Sequence, residues 1–404
     1  MADGDQILSA LSSAGIQNFE LDPNARLKIV DAAKALVSRL QTNEEKVFEM
    51  TFSRPIVFAS IQILLDIGLW EGWTKIGGGA KSVEDLSSLC KQDIEPNLLH
   101  RLLRLLASVN LVEETGEGVF QTNSFSRTFG DWNSGAPQSI QCAVLNWIPG
   151  ANNLPRFLAK KGYREPLDTG NTNYQDWSPG NLDFFDKCVA DPVYQRSFSG
   201  FMTQWAKYKV PWPQIFDTEA LVRGADLDAA PLCVDIGGHH GVDLARLLDK
   251  HQDLPSGALV LQDLPEVVAG AKGLNEKIRI MPHDMFQTQP IKGARAYFFH
   301  AVLHDWPDDT AVLFLKKTAE AMKKGYSKLL IMDMALPLTG ASWIHTTMDV
   351  NMMCTVSALE RTEAMWTRLL QDAGFQIVKF WEDGRGNESL IEAELVGLDF
   401  KAPL

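Results

Sequence analysis

Apolar residues in the first fifty positions recur at helical spacing: Leu27, Ile29, Val30, Ala33, Leu36 and Val37 follow a period near 3.6. The stretch beginning at Arg54 is different. Ile56, Val57, Phe58, Ile61, Ile63, Leu64, Leu65, Ile67 and Leu69 cover nearly every side, which predicts a helix buried on most faces or shared between subunits. Gly77, Gly78 and Gly79 break it. Ser82 to Asp85 then reads as a capping box, followed by a helix with Leu86 and Leu89 on its stripe. Glu95-Pro96 opens another helix, lined by Leu98, Leu102, Leu105, Leu106 and Val109. Two short runs, 111–114 and 119–121, flank a turn at 115–118 and predict a hairpin. Helix, turn, helix and hairpin together make a winged-helix pattern.

Residues 136–215 are rich in aromatics and mostly helical, with 149–174 expected as a long connection because of its Gly, Asn and Pro content. From Pro231 the pattern changes again. Apolar runs at 232–236, 258–261, 278–280, 294–299 and 328–333 alternate with helical stretches, which predicts a parallel sheet with crossover helices. The candidate polar groups follow these runs, at the strand ends where open α/β sheets bind ligands. The expected domains are 1–135, helical and winged-helix-like; 136–215, a helical bridge; and 216–404, Rossmann-like.

Charge narrows the choice of partner. A net charge of −13 argues against nucleic acid, whose binding depends on Lys and Arg neutralising phosphates. The winged-helix stretch offers only Arg101 and Arg104 on its second helix, so DNA binding is disfavoured there. Cys90, Cys142, Cys188, Cys233 and Cys354 lie far apart without metal-site spacing, as free thiols in a reducing compartment would. The acidic start is not followed by an apolar leader, and no uninterrupted apolar run reaches about 18 residues. A cytoplasmic protein with no membrane partner is expected.

Three stretches carry candidate chemistry. In the turn 235–241, Gly237, Gly238 and Gly241 follow a strand and precede a helix, allowing close approach of electron-rich ligand groups to a helix N-terminus. Asp263, at the next strand end, suits a ribose diol. No Gly-Lys-Ser/Thr follows, which excludes a P-loop. His304 falls just beyond another buried run. Asp308 and Asp309 read as N-terminal charge on a helix over 310–322, with no further role. Glu360 sits in a loop before a helix whose N-terminal charge is Glu363.

Asp-Ile-Gly-Gly with a later Gly241, Gln-Asp-Leu-Pro-Glu-Val, His-Asp-Met-Phe, Leu-His-Asp-Trp-Pro-Asp-Asp, Met-Asp-Met-Ala-Leu-Pro and Glu-Arg-Thr-Glu fall in order over 234–363. The set resembles the S-adenosylmethionine-dependent O-methyltransferases of the plant caffeate and flavonoid type and their fungal secondary-metabolite relatives. The resemblance implies a class I methyltransferase fold with an N-terminal dimerisation domain, and hence a homodimer. It implies that Gly237, Gly238 and Gly241 line the cofactor, with Asp263 on its ribose, Asp284 and Met285 beside the adenine, and His300 where relatives carry Lys or Arg. It implies His304 as general base, oriented by Asp333 and Glu360, and Met202, Trp205 and Met353 as pocket walls. Where the family has a further glycine, this chain has His239.

A phenol, with a pKa near 10, is a poor nucleophile at neutral pH. A positioned imidazole takes its proton as the oxygen attacks the sulfonium methyl, and neighbouring carboxylates steady the imidazolium that forms. No metal is required. The expected reaction is O-methylation of a phenolic or enolic hydroxyl on an aromatic or polyketide-type small molecule. The alternative is a pericyclase or dehydratase of the same fold, which uses the cofactor as a fixed positive charge without methyl transfer.

Overall fold

A computed structural model describes residues 4–13, 15, 23–384 and 388–397 of the 404. Residues 1–3, where the leader reading begins, lie outside these. The chain divides into two compact units, Met1–Gln141 and Cys142–Leu404.

In the first unit, α1 (Arg54–Asp66) buries Ser60, Ile61, Leu64 and Leu65 and leaves Ile56, Phe58 and Ile63 exposed. The expected all-round burial is therefore only half met within one copy. The continuous helical run Asn43–Asp66 is long and apolar enough to cross a membrane by length and composition alone. That departs from the sequence count, which considered uninterrupted apolar residues only.

Next come β1 (Lys81–Ser82), α2 (Val83–Ser87), α3 (Pro96–Ser108), β2 (Val112–Gly116) and β3 (Val119–Thr122). The strands form an antiparallel sheet in the order β1-β3-β2. Ser82 caps α2 by accepting the Asp85 N–H, although the return arm of the capping box is absent. The stripe of α3 is shifted from expectation. Leu99, Leu103 and Leu106 are buried, whereas Leu98 is exposed.

In the second unit the first part of the expected connection over 149–174 is instead a helix, Ile148–Lys160, while 161–172 is non-helical connection as expected. Pro149 stands inside a continuous helical run, just after the π-turn Ala143–Trp147. Burial of Gly150 and Phe157 outweighs the interior Pro155. Later come α4 (Pro192–Tyr208), β4 (Cys233–Ile236), α5 (Val242–Lys250), β5 (Leu259–Asp263), β6 (Ile278–Pro282), β7 (Ala296–His300), α6 (Asp308–Ala319), β8 (Lys328–Asp333), α7 (Trp343–Val356), α8 (Glu363–Asp372), β9 (Phe375–Glu382) and β10 (Ser389–Leu395).

The seven strands run β6-β5-β4-β7-β8-β10-β9, parallel except for β10, which is antiparallel to both β8 and β9. Burial on both faces explains the unbroken apolar runs. Tyr297, Phe299, Leu329 and Ile331 enter the core on one side, with Trp366 of α8. Phe298, Leu330 and Met332 enter the other, with Leu244 and Leu247 of α5. The sheet order reverses between β4 and β7, and such a switch point opens a crevice at the carboxyl ends of the strands.

Candidate active site

At the end of β4 the chain turns at Gly237, whose φ of +73° is left-handed. The N–H groups of Gly237 and Gly238 donate to the Gln262 carbonyl at 2.8 and 3.1 Å, closing the turn against β5. Space dictates the second glycine, since a Cβ at Gly238 would fall 2.4 Å from Asp235 Oδ2 and 2.6 Å from Leu261 Cδ1. His239 also adopts a left-handed φ, +51°, which a glycine would take without strain. Its N–H donates to Asp263 Oδ2 at 2.8 Å, while Asp263 Oδ1 accepts the Leu264 N–H at 2.8 Å. Gly241 is the left-handed residue that begins α5.

Asp235 gives this turn its electrostatic character. Its carboxyl is buried against Gly238, and neither oxygen has a hydrogen-bond partner among the described residues. Burial, with the charge of Asp243 behind it, pushes its pKa well above the carboxylate range. A ligand bringing positive charge to the turn would relieve this, so the residues fit a cationic adenosyl cofactor. The ring of His239 lies 3.8 Å from that of His240, and burial first, then His240, lowers its pKa.

The second element of the site follows β7, where a short 3-10 turn, Leu303–Asp305, carries His304. Asp333 is the last residue of β8, and Glu360 lies between α7 and α8. Nδ1 of His304 is 3.0 Å from Glu360 Oε1 and 3.5 Å from Asp333 Oδ1. Both carboxylates are buried, and each keeps one oxygen without a partner among the described residues. Nε2 faces Asp305 Oδ1 at 3.7 Å, beyond hydrogen-bond reach.

Burial disfavours charge on His304, but Asp333, Glu360 and Asp305 outweigh it and raise its pKa well above 6.5. Burial likewise raises Asp333, to about 6. Asp349 of α7 adds a further anchor by accepting the Glu360 N–H at 2.9 Å. The set thus holds an imidazole by Nδ1 and leaves Nε2 to exchange a proton. Its donor atoms all lie within 4.8 Å of one another, a spacing that also suits metal ligation.

His300, four residues before His304, has both ring nitrogens engaged. Nδ1 meets Asp243 Oδ2 at 2.6 Å; Nε2 meets Lys209 Nζ at 3.0 Å and Glu388 Oε2 at 3.3 Å. Lys209 and Glu388, both buried, pair at 2.6 Å, and Arg246 reaches Asp243 Oδ1 at 3.4 Å. Burial and Lys209 lower the His300 pKa, but Asp243 and Glu388 outweigh them and lift it to about 9. Burial raises Glu388, but Lys209 and His300 prevail and bring it to about 2.

The remaining expected residues are more scattered. Asp284 closes a local turn, accepting the Phe286 N–H at 3.0 Å, and Met285 packs on the core. On α4, Met202 is exposed, and Trp205 packs on Phe201 with Lys209 Nζ 5.4 Å from its ring. Met353, half-buried, lies one helical turn from Asp349 on α7.

Asp308 departs from expectation: it stands in the first turn of α6 and also accepts a hydrogen bond from Arg361 Nε at 2.8 Å. Sequence reasoning missed Asp235, Asp305, Asp349, Lys209, Asp243 and Glu388. Asp235 and Asp305 lay inside motifs already quoted. Lys209 and Glu388 gave no local signal.

Known proteins resemble this chain over nearly its full length. The O-methyltransferase ATR12 of Stachybotrys chlorohalonatus is 44% identical over 389 residues, 96% of this chain and 98% of that protein. The chain belongs to the O-methyltransferase family. The family's O-methyltransferase domain model matches residues 185–376. A second member, the O-methyltransferase mfmE of Annulohypoxylon moriforme, is 37% identical, covering 96% of this chain and 95% of that protein. The solved structure of the LepI complex with SAM is 27% identical, with a TM-score of 0.85 over 98% of this family member and 100% of LepI. A structure described as a pericyclic reaction enzyme is also 27% identical, with a TM-score of 0.82 over 97% of this chain and 100% of its own.

Proposed function

We propose that the protein binds S-adenosylmethionine at the turn 235–241 and transfers its methyl group to a phenolic or enolic hydroxyl of a fungal-type secondary metabolite. The observation that carries this reading is the His304 ring held through Nδ1 by Glu360 at 3.0 Å, with Asp333 at 3.5 Å. Gly237, Gly238 and Gly241 hold the cofactor, Asp263 its ribose, Asp284 and Met285 its adenine side, with His300 at the same edge. The cofactor supplies an electrophilic methyl on a sulfonium. Asp235 gives that positive charge a buried counter-group.

His304 Nε2 takes the hydroxyl proton as the acceptor oxygen attacks, and Glu360 and Asp333 stabilise the imidazolium. Met202, Trp205 and Met353 wall the acceptor pocket, with part of the 136–215 stretch. Incubating purified protein with methyl-labelled cofactor and a panel of phenols and enolic pyridones tests the assignment. Labelled product together with one S-adenosylhomocysteine per turnover supports it; no label in any acceptor counts against it.

A second reading rests on the raised His304 pKa together with the LepI likeness. An imidazolium at rest is a competent proton donor: it can protonate the leaving hydroxyl of a dehydration or hydrogen-bond a carbonyl polarised in a pericyclic rearrangement. Product formation without S-adenosylhomocysteine distinguishes this reading.

The first unit supports a homodimer. Leu40, Phe48, Met50, Phe52 and Ile56 are all more than half exposed and lie on consecutive helical segments. A second copy is the occupant that suits this apolar surface, and no nucleic-acid or membrane partner is invoked for it.

A further inference from the structure

Arg361 is completely buried, an unusual place for a guanidinium. Its three nitrogens donate in three directions: Nε to Asp308 Oδ1 at 2.8 Å, Nη1 to the Leu303 carbonyl at 2.7 Å, and Nη2 to the Trp306 carbonyl at 2.6 Å. Leu303 and Trp306 are the residues that bracket His304 and Asp305. The guanidinium also lies 5.2 Å from the ring centroid of Trp366.

The backbone completes the arrangement. The Arg361 carbonyl accepts the Leu336 N–H at 2.9 Å, and Thr362 bridges Leu336 in parallel. Leu336 lies three residues beyond Asp333, and Trp366 Nε1 donates to the Met334 carbonyl at 2.8 Å. One residue therefore joins the segment carrying Glu360, the turn carrying His304 and the extension of the strand carrying Asp333. Desolvating a cation costs several kcal/mol, so a role in packing alone would be filled better by an apolar side chain. Two backbone carbonyls and a carboxylate need the planar fork of arginine, which lysine lacks.

We infer that Arg361 is a positioning residue that fixes the turn 303–306 against Glu360, so that Nδ1 of His304 stays on its carboxylate. The inference rests on the reading of His304 as the group that moves the proton. It extends that reading by naming what sets its alignment, since a misplacement of about 1 Å costs on the order of 100-fold in rate.

The test uses the full chain carrying Arg361→Lys or Asp308→Asn. S-adenosylhomocysteine affinity by calorimetry reports the fold and the cofactor site, and NMR titration of histidine-labelled protein reports the His304 ring. Arg361→Lys is expected to keep that affinity within about three-fold while kcat falls about 100-fold and KM moves little. The His304 pKa is expected to fall toward 6.5 as the carboxylates lose their register. Asp308→Asn, which takes the charge from one contact at a half-exposed carboxylate and leaves an oxygen to accept from Nε, moves both quantities in the same direction by less.

An unchanged His304 titration in folded, ligand-binding Arg361→Lys overturns the inference. So does a kcat loss matched by an equal loss of cofactor affinity. Should Arg361→Lys fail to fold, an unshifted His304 in Asp308→Asn overturns it alone. The ring titration needs no methyl transfer, so a wild-type protein without labelled product sinks the proposed reaction and leaves this inference to be judged separately.

Discussion

Glu360 Oε1 sits 3.0 Å from His304 Nδ1, a hydrogen bond between two groups 56 positions apart in the chain. Replacing the carboxylate by an amide keeps the shape and removes the charge. Glu360→Gln is expected to lower kcat by roughly 10²–10⁴-fold, the range of a general acid–base contribution, and His304→Gln by at least as much. Single-turnover transfer of labelled methyl checks this, with S-adenosylhomocysteine affinity as the control. Equal rates for Glu360→Gln and wild type would remove Glu360 from the mechanism.

The sign of the pH dependence separates the two reaction classes. The His304 pKa is raised, so the neutral imidazole that accepts a proton becomes commoner as pH rises. Asp333, raised to about 6, loses its charge on the acid side and ceases to stabilise the imidazolium. Methyl transfer should therefore climb from pH 6 upward in a kcat/KM profile. A reaction that uses the imidazolium as donor should fall over the same range.

The Lys209–Glu388–His300–Asp243 network should be felt in stability. Lys209→Met removes the nearer of two cationic partners of the buried Glu388 carboxylate, leaving His300, and is expected to cost up to roughly 3–5 kcal/mol, measurable by urea unfolding. His300 titrates higher in the folded chain than its ordinary 6.5, at about 9, so its contribution is full below 6.5 and disappears as pH rises through 9. Glu388 titrates lower, at about 2 rather than 4.5, so its share is present above 4.5 and is lost as pH falls toward 2. A stability profile flat through both windows would show that the network does not act as an ion set.

Phe52 is 79% exposed and Met50 67% exposed, beside Phe48. Introducing charge here by Phe52→Asp should shift sedimentation from dimer to monomer while leaving the second unit folded. A wild-type monomer at micromolar concentration would end the dimer reading.

The parts legible in the sequence were those with local causes. The runs 232–236 and 328–333 announced β4 and β8 because strands buried on both faces tolerate little polarity. His304, Asp333 and Glu360 were named through the family resemblance that their motifs carry, and only the fold brings the three side chains together. The pair β9 and β10 went unread: polar residues such as Gln376 and Lys379 interrupt its pattern, and its antiparallel place beside β8 is a matter of long-range pairing. The His300 network was equally hidden, since its four members come from four separate regions of the chain. The helix Ile148–Lys160 was missed because its Gly, Asn and Pro residues were weighed by type, whereas Pro149 is accommodated just after a π-turn and Gly150 and Phe157 are buried.

The carboxylates around His304 also act on whatever approaches it. Asp305, Asp333 and Glu360 surround one imidazole, so their charge disfavours an anion beside the neutral ring. Substrates differing only by a free carboxylate near the reacting hydroxyl would then be sorted by charge before shape is tested. Under the proposed reaction, a neutral acceptor is expected to turn over faster than its carboxylated counterpart.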